Sequence, residues 1–136
     1  MPQSDVVLVF ANFWTAEGQD RVDLKLGDNA EALILAATEV SDNVVVILHI
    51  PGTADLEAFA DNKNVTAILA PLLPGEQTGN SLVSVLYADV SPSGKLPFTI
   101  GKSLDDYIPN SIVQDPVYAP QSNFDEGVNI DYRWSV

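Results

Sequence analysis

Glu17, Asp20, Arg21 and Asp23 crowd one polar stretch, Trp14–Leu26, which reads W-T-A-E-G-Q-D-R-V-D-L-K-L. Carboxyl groups at that density could move protons, provided burial or a neighbouring negative charge raises the pKa of one of them. With neither, a glutamate in a polar loop is simply solvated. Asp20 and Arg21 form either an exposed ion pair, worth about 0–1 kcal/mol, or a brace for the loop; bracing is the favoured role. Asp23 and Asp28 suit a turn and a helix cap. His49, the only histidine, closes an apolar run. A general base there is one reading, and an imidazole that satisfies nearby backbone groups is the favoured one. Trp14 offers a flat apolar face for stacking or for packing. The chain has no cysteine, which excludes disulfides, thiol nucleophiles and zinc–thiolate sites.

These residues must be positioned by a chain of 136 residues, the size of one domain. Hydrophobic residues make up 46% of it, enough for a core. Six basic against nineteen acidic residues leave a net charge of -13. Nucleic-acid phosphates would be repelled by that charge, so nucleic acid is excluded as a partner. No apolar run is long enough to cross a bilayer, so no membrane partner is expected. The start, Met1-Pro2-Gln3-Ser4-Asp5, is not a signal peptide. No pattern calls for a cofactor or a metal.

Read in order, the chain alternates strands and helices. Val6–Phe10 is a continuous apolar run, the pattern of a strand covered on both faces. A polar loop, Ala11–Asp28, leads to a helix over Asn29–Val40, with Asp28 as N-cap and Ala30, Leu33, Ile34 and Ala37 as its apolar stripe. Val44–His49 is a second strand. Pro51-Gly52 breaks it, and Thr53 caps a short helix through Leu56, Phe59 and Ala60. Val65–Ala70 is a third strand. After the Pro74-Gly75 turn, Glu76 opens a helix with Leu82, Val85 and Leu86 on one face, Ser91–Gly94 stops it, and Lys95–Ile100 reads as a fourth strand. The expected class is α/β: a three-layer α/β/α sandwich, flavodoxin-like, around a mainly parallel sheet. Residues 1–101 form its core and residues 102–136 an irregular tail packing on or leaving the domain. The functional edge of such a sheet lies at the carboxyl ends of its strands, where Ala11–Asp28, Ile50–Thr53 and Pro71–Gln77 emerge. The first is far longer than its neighbours, a mark of function in folds whose connections are short.

The stretch Leu72–Ile100 contains L-P-G-E-Q-T-G-N-S-L-V-S-V-L-Y-A-D-V-S-P-S-G-K-L-P-F-T-I. It resembles the L-P-G-x-E-x-G-x-x-x-x-x-x-L-x-G-D-x-x-P-S-G-x-L-P-x-T segment of glycoside hydrolase family 3, the β-glucosidases and their relatives. Gln77-Thr78-Gly79 stands near the usual acid-x-Gly, and Ala88 replaces the usual glycine before Asp89. The end, F-D-E-G-V-N-I-D-Y-R-W over Phe124–Trp134, is similar to the family's F-x-E-G-x-x-x-x-Y-R. The loop Trp14–Leu26 resembles its E-G-x-D-R-x-x-L-x-L.

The resemblance implies the second domain of a retaining β-glucosidase acting on terminal β-D-glucosyl residues, truncated here and secreted in its parent form. Asn64-Val65-Thr66 is then an N-glycosylation sequon open to a secretory eukaryote. In the family the long loop swings over the active site of a catalytic barrel, and in many members its glutamate is the general acid/base. That role would fall to Glu17, with Gly18 letting the backbone approach the sugar. Asp20, Arg21 and Trp14 would bind substrate or brace the loop. A retaining enzyme also needs a second carboxylate about 5–5.5 Å away. The family supplies it as an aspartate on the barrel, in a Ser-Asp-Trp or similar motif that this chain lacks. The isolated chain is therefore expected to be inactive, and to self-associate or be only marginally stable, through an unpaired sheet edge and the apolar surface left by the missing barrel. A non-catalytic binding or assembly module is the alternative. A flavodoxin- or receiver-like function needs a phosphate-cradling loop or acidic cluster after the first strand, and Ala11-Asn12-Phe13-Trp14 is neither.

Overall fold

Three strands form one parallel sheet in the order β1 (Val7–Asn12), β2 (Val44–His49), β3 (Val65–Leu69). The computed structural model describes residues 4–19, 21, 23–27, 29–107 and 123–133. Helix α1 (Ala30–Val40) joins β1 to β2, α2 (Glu57–Ala60) joins β2 to β3, and α3 (Thr78–Leu86) follows a 3-10 turn at Gly75–Gln77. The α/β class with a parallel sheet is the one the apolar runs and intervening stripes imply.

β2 is buried on both sides, because Val44, Val46, Ile47 and Leu48 are all fully buried. Successive strand residues point to opposite faces. Val44, Val46 and Leu48 join Val9 and Ala11 of β1 and Ala30, Ile34 and Ala37 of α1 in one core, completed by Ile50, Ala54, Leu56 and Phe59. The opposite face is open at β1, where Leu8 and Phe10 are exposed, Phe10 by 55%. β1 therefore covers one face only, unlike the two-sided burial its apolar run suggests.

A polar cluster locks the amino ends of the strands. Thr66 is the extra residue where the β2–β3 register slips between Val44 and Val45, and its hydroxyl donates to Asn43 Oδ1 at 2.7 Å. Asn64 Nδ2 donates to the Thr38 carbonyl at 2.9 Å, and Asn62 Nδ2 to the Thr38 hydroxyl at 3.2 Å. The carboxyl end of α1 is thereby tied to the turn before β3. The sequon residue Asn64 is half-buried, with its amide nitrogen already engaged.

Several local expectations are corrected. Leu33 is 57% exposed, so the buried stripe of α1 is Ala30, Ile34, Ala37 and Thr38. Asp28 lies outside the described residues. The N-cap position of α1 is Asn29, in the left-handed region at φ 58° and without a side-chain cap. Thr53 does not cap α2, whose N-cap position is Leu56. Lys95–Ile100 is not a strand: Pro97 lacks an amide to donate, residues 91–97 are exposed, and the amide of Thr99 donates to Asp131 Oδ1 instead of to β3. Among the described residues the sheet ends at β3. The described part of the tail is irregular apart from single 3-10 turns at Leu104–Asp106 and Asp131–Arg133.

α3 ends at a backbone position where Ala88 is strained. Ala88 sits at φ 61°, with its amide donating to the Val85 carbonyl at 3.1 Å. A left-handed residue closing a helix is usually glycine, because a Cβ is strained there. Ala88→Gly should therefore stabilise the fold by about 1 kcal/mol, measured as a raised denaturation midpoint with an unchanged slope.

Candidate functional site

The parallel register pairs Asn12 with His49, so the loops after β1 and β2 leave the sheet side by side. The β1 loop closes on itself at its neck. Gly27 N–H donates to the Asn12 carbonyl at 3.1 Å, and the Asp55 amide donates to the Leu24 carbonyl at 2.8 Å. Phe13 and Leu24 are buried at this base. Asp23 is a turn residue as expected, its Oδ1 accepting from the Lys25 amide at 3.0 Å.

Arg21 is the strut of the loop. Its guanidinium lies over the Phe13 ring, with Cζ 3.9 Å from the centroid. Its Nη2 donates to the Thr53 carbonyl, on the β2–α2 loop, at 3.1 Å. Nη1 is shielded from solvent and has no hydrogen-bond partner among the described residues. Burial lowers the Arg21 pKa from its ordinary value, with Asp23 and Tyr107 opposing that shift. The side chain remains cationic in any case, since a guanidinium does not deprotonate in proteins. Asp20, its neighbour in the expected pair, lies outside the described residues.

Beyond this base the loop projects into solvent. Ala16 and Gln19 form an antiparallel bridge, with Glu17 and Gly18 as the two turn residues between them. Gly18 adopts φ 75°, the positive value that the third residue of a type II turn requires. A Cβ there would meet no atom within 4 Å, so the glycine answers to backbone conformation and leaves open space above the turn. Glu17 and Trp14 are exposed, Trp14 by 65%. The structure thus brings Arg21 to the loop base and sets Glu17 at the apex of its tip.

His49 stands at the foot of the neighbouring loop. Its ring stacks on Phe10, with centroids 6.4 Å apart and planes 10° from parallel. Nε2 is buried without a partner among the described residues. The backbone contacts expected of this histidine are therefore not made through Nε2. No group of three or more His, Asp or Glu side chains among the described residues could hold a metal ion.

The residue that sequence reasoning missed is Tyr107. Its phenol oxygen accepts from the Gly101 amide at 2.9 Å and shares a short hydrogen bond with the Thr53 hydroxyl. A tyrosine in a Pro- and Asn-rich tail carries no periodic signal. The only cue was the run of turn residues before it, where Asp106 Oδ2 accepts from the amides of Lys102 and Ser103 at 2.7 and 2.9 Å.

A parallel sheet whose first and second strands carry neighbouring loops at the carboxyl edge, the first with Glu17 exposed at its turn, defines an α/β domain. The family model for the glycosyl hydrolase family 3 C-terminal domain matches residues 1–132. The chain belongs to that family. It is 44% identical over 130 residues to a probable beta-glucosidase G of Emericella nidulans, covering 93% of this chain and 16% of that protein. Among solved structures it is similar to a Chaetomium thermophilum beta-glucosidase, with a TM-score of 0.84, 37% identity and coverage of 97% of this chain and 17% of that one. It is likewise similar to the beta-D-glucoside glucohydrolase of Trichoderma reesei, with a TM-score of 0.78, 38% identity and coverage of 94% and 18%. The chain thus spans about one sixth of the length of the relatives it matches.

Arg21→Ala should cost about 2 kcal/mol, from one cation–π contact and one charge-assisted hydrogen bond. Proteolysis within residues 14–23 should accelerate. Arg21→Lys should restore only part of the loss, since an ammonium cannot lie flat on Phe13 and reach Thr53 together. Chemical denaturation and timed limited proteolysis measure both effects.

Proposed function

We propose that this chain is the acid/base-bearing domain of a retaining β-glucosidase acting on terminal β-D-glucosyl residues outside the cell, with Glu17 as the general acid/base. The observation that carries the proposal is the placement of Glu17 at the exposed apex of a turn whose base is fixed by Arg21, Phe13 and Gly27. An acid that must reach across to a substrate held elsewhere needs a rigid stalk and a free tip. Family membership supports the reaction class.

In this reading the substrate sits on a catalytic barrel contributed by the rest of the enzyme. Glu17 protonates the departing glycosidic oxygen while an aspartate of the barrel attacks the anomeric carbon. Glu17, now a carboxylate, then takes a proton from the water that hydrolyses the glycosyl-enzyme. Docking against the barrel would bury the tip, which is exposed here. Trp14 and the described parts of the loop would close over the bound glucoside.

Glu17→Ala in the full-length enzyme should slow cleavage of alkyl glucosides by about 100-fold or more. Formation of the glycosyl-enzyme from a dinitrophenyl glucoside should be spared, because that leaving group needs little protonation. Azide should restore turnover and yield a β-glycosyl azide. Equal losses across leaving groups with no azide product would assign Glu17 a structural role. The 136-residue chain alone should show no turnover of an aryl β-glucoside above background, because it lacks the nucleophile. The exposed Phe10 and Trp14 favour a second reading, a binding or assembly module that self-associates. Concentration-dependent sedimentation of the isolated chain, together with unchanged kinetics of the Glu17→Ala parent enzyme, would favour it.

A further inference from the structure

We infer that Tyr107, acting through Thr53, is a positioning residue for the Glu17 loop, so that the tail after α3 sets the aim of the acid/base. The inference rests on the reading of Glu17 above. Thr53 uses two groups at once: its carbonyl accepts from Arg21 Nη2, and its hydroxyl bonds the phenol of Tyr107. The phenol is itself anchored by the Gly101 amide. Segments far apart in sequence are thereby linked in one relay, from Gly101 and Tyr107 through Thr53 to Arg21 and Phe13, at the base of the turn bearing Glu17.

The anchor is tightly built. A Cβ on Gly101 would lie 2.9 Å from Asp106 Cβ and 3.2 Å from Tyr107 Cε2, so the tyrosine ring sits directly against the glycine backbone. Asp106 fixes the turn by accepting from the amides of Lys102 and Ser103. By contrast, the ion pair between Lys102 and Asp61 is 3.9 Å long and fully in solvent, where such pairs contribute little. The tail is therefore fastened to the β2–α2 loop by the tyrosine, and that loop is where Arg21 is held.

The hydroxyl of Tyr107 would act on catalysis only through the geometry of Glu17, which gives it a distinctive signature. In the full-length enzyme Tyr107→Phe keeps the ring and removes the hydroxyl. kcat/KM for an alkyl glucoside should fall about 10-fold, because proton transfer depends steeply on placement. The value for a dinitrophenyl glucoside should change less than about 2-fold, since that leaving group needs little acid. Thr53→Val should reproduce this pattern and Thr53→Ser, which retains the hydroxyl, should restore the wild-type ratio. Gly101→Ala, which displaces the ring, should act like Tyr107→Phe. Hydrogen exchange gives a readout independent of chemistry: the Asp55 amide, bonded to the Leu24 carbonyl in the loop, should exchange faster in Tyr107→Phe. Unchanged exchange at Asp55, or equal losses for both substrates, would overturn the inference. A flat leaving-group profile for Glu17→Ala would overturn the acid/base assignment instead, leaving the exchange result to decide whether the relay braces the loop.

Discussion

The side-by-side pairing of β1 and β2, in register from Val7 with Val44 to Asn12 with His49, is the constraint on which the rest depends. It brings two strand ends to one level, so the loops that follow must share a boundary. Across that boundary run the Leu24–Asp55 and Arg21–Thr53 hydrogen bonds. β2 can hold this register because its side chains are buried on both faces, and a slip by one residue would exchange the two sets of contacts. The long loop after β1 is tied to its neighbour at the base, while its tip, with Glu17, is exposed.

How much of this was legible depends on how local each cause is. The run Val44–His49 predicted β2 with its exact ends, because an unbroken apolar run bounded by Asn43 and Pro51 has few other solutions. Bracing was the favoured reading of Arg21, but its contacts, with the Phe13 ring and the Thr53 carbonyl, could not be read from the sequence because Thr53 lies far along the chain. Leu33 was misread because helical spacing does not say how wide the buried stripe is; α1 meets a narrow sheet and buries Ala30, Ile34, Ala37 and Thr38. Lys95–Ile100 looked like a strand by composition, but strand formation needs a partner, and Thr99 finds Asp131. Tyr107 was invisible for the same reason: its meaning lies in Thr53, far away along the chain.

Ala88 shows the converse, a family departure whose physical effect is readable only from backbone angles. The usual glycine would occupy φ 61° without strain. The helix that the alanine ends buries Leu82 and half-buries Val85 and Leu86. Gly18 stands at φ 75° in a turn with no packing around it. Replacing Gly18 should therefore strain its turn with nothing nearby to offset the cost.

The open side of β1 bears on how this chain exchanges with its unfolded state. Leu8 and Phe10 are 40% and 55% exposed when the chain is folded, so that part of their apolar surface is not newly uncovered on unfolding. Denaturant sensitivity and the heat-capacity increment both scale with newly uncovered surface. Both should fall below what a closed domain of this length would show, giving a shallow unfolding transition and a flat dependence of stability on temperature. Cover over Phe10 would restore steepness as well as stability, so the sharpness of melting reports whether this face of the sheet is occupied.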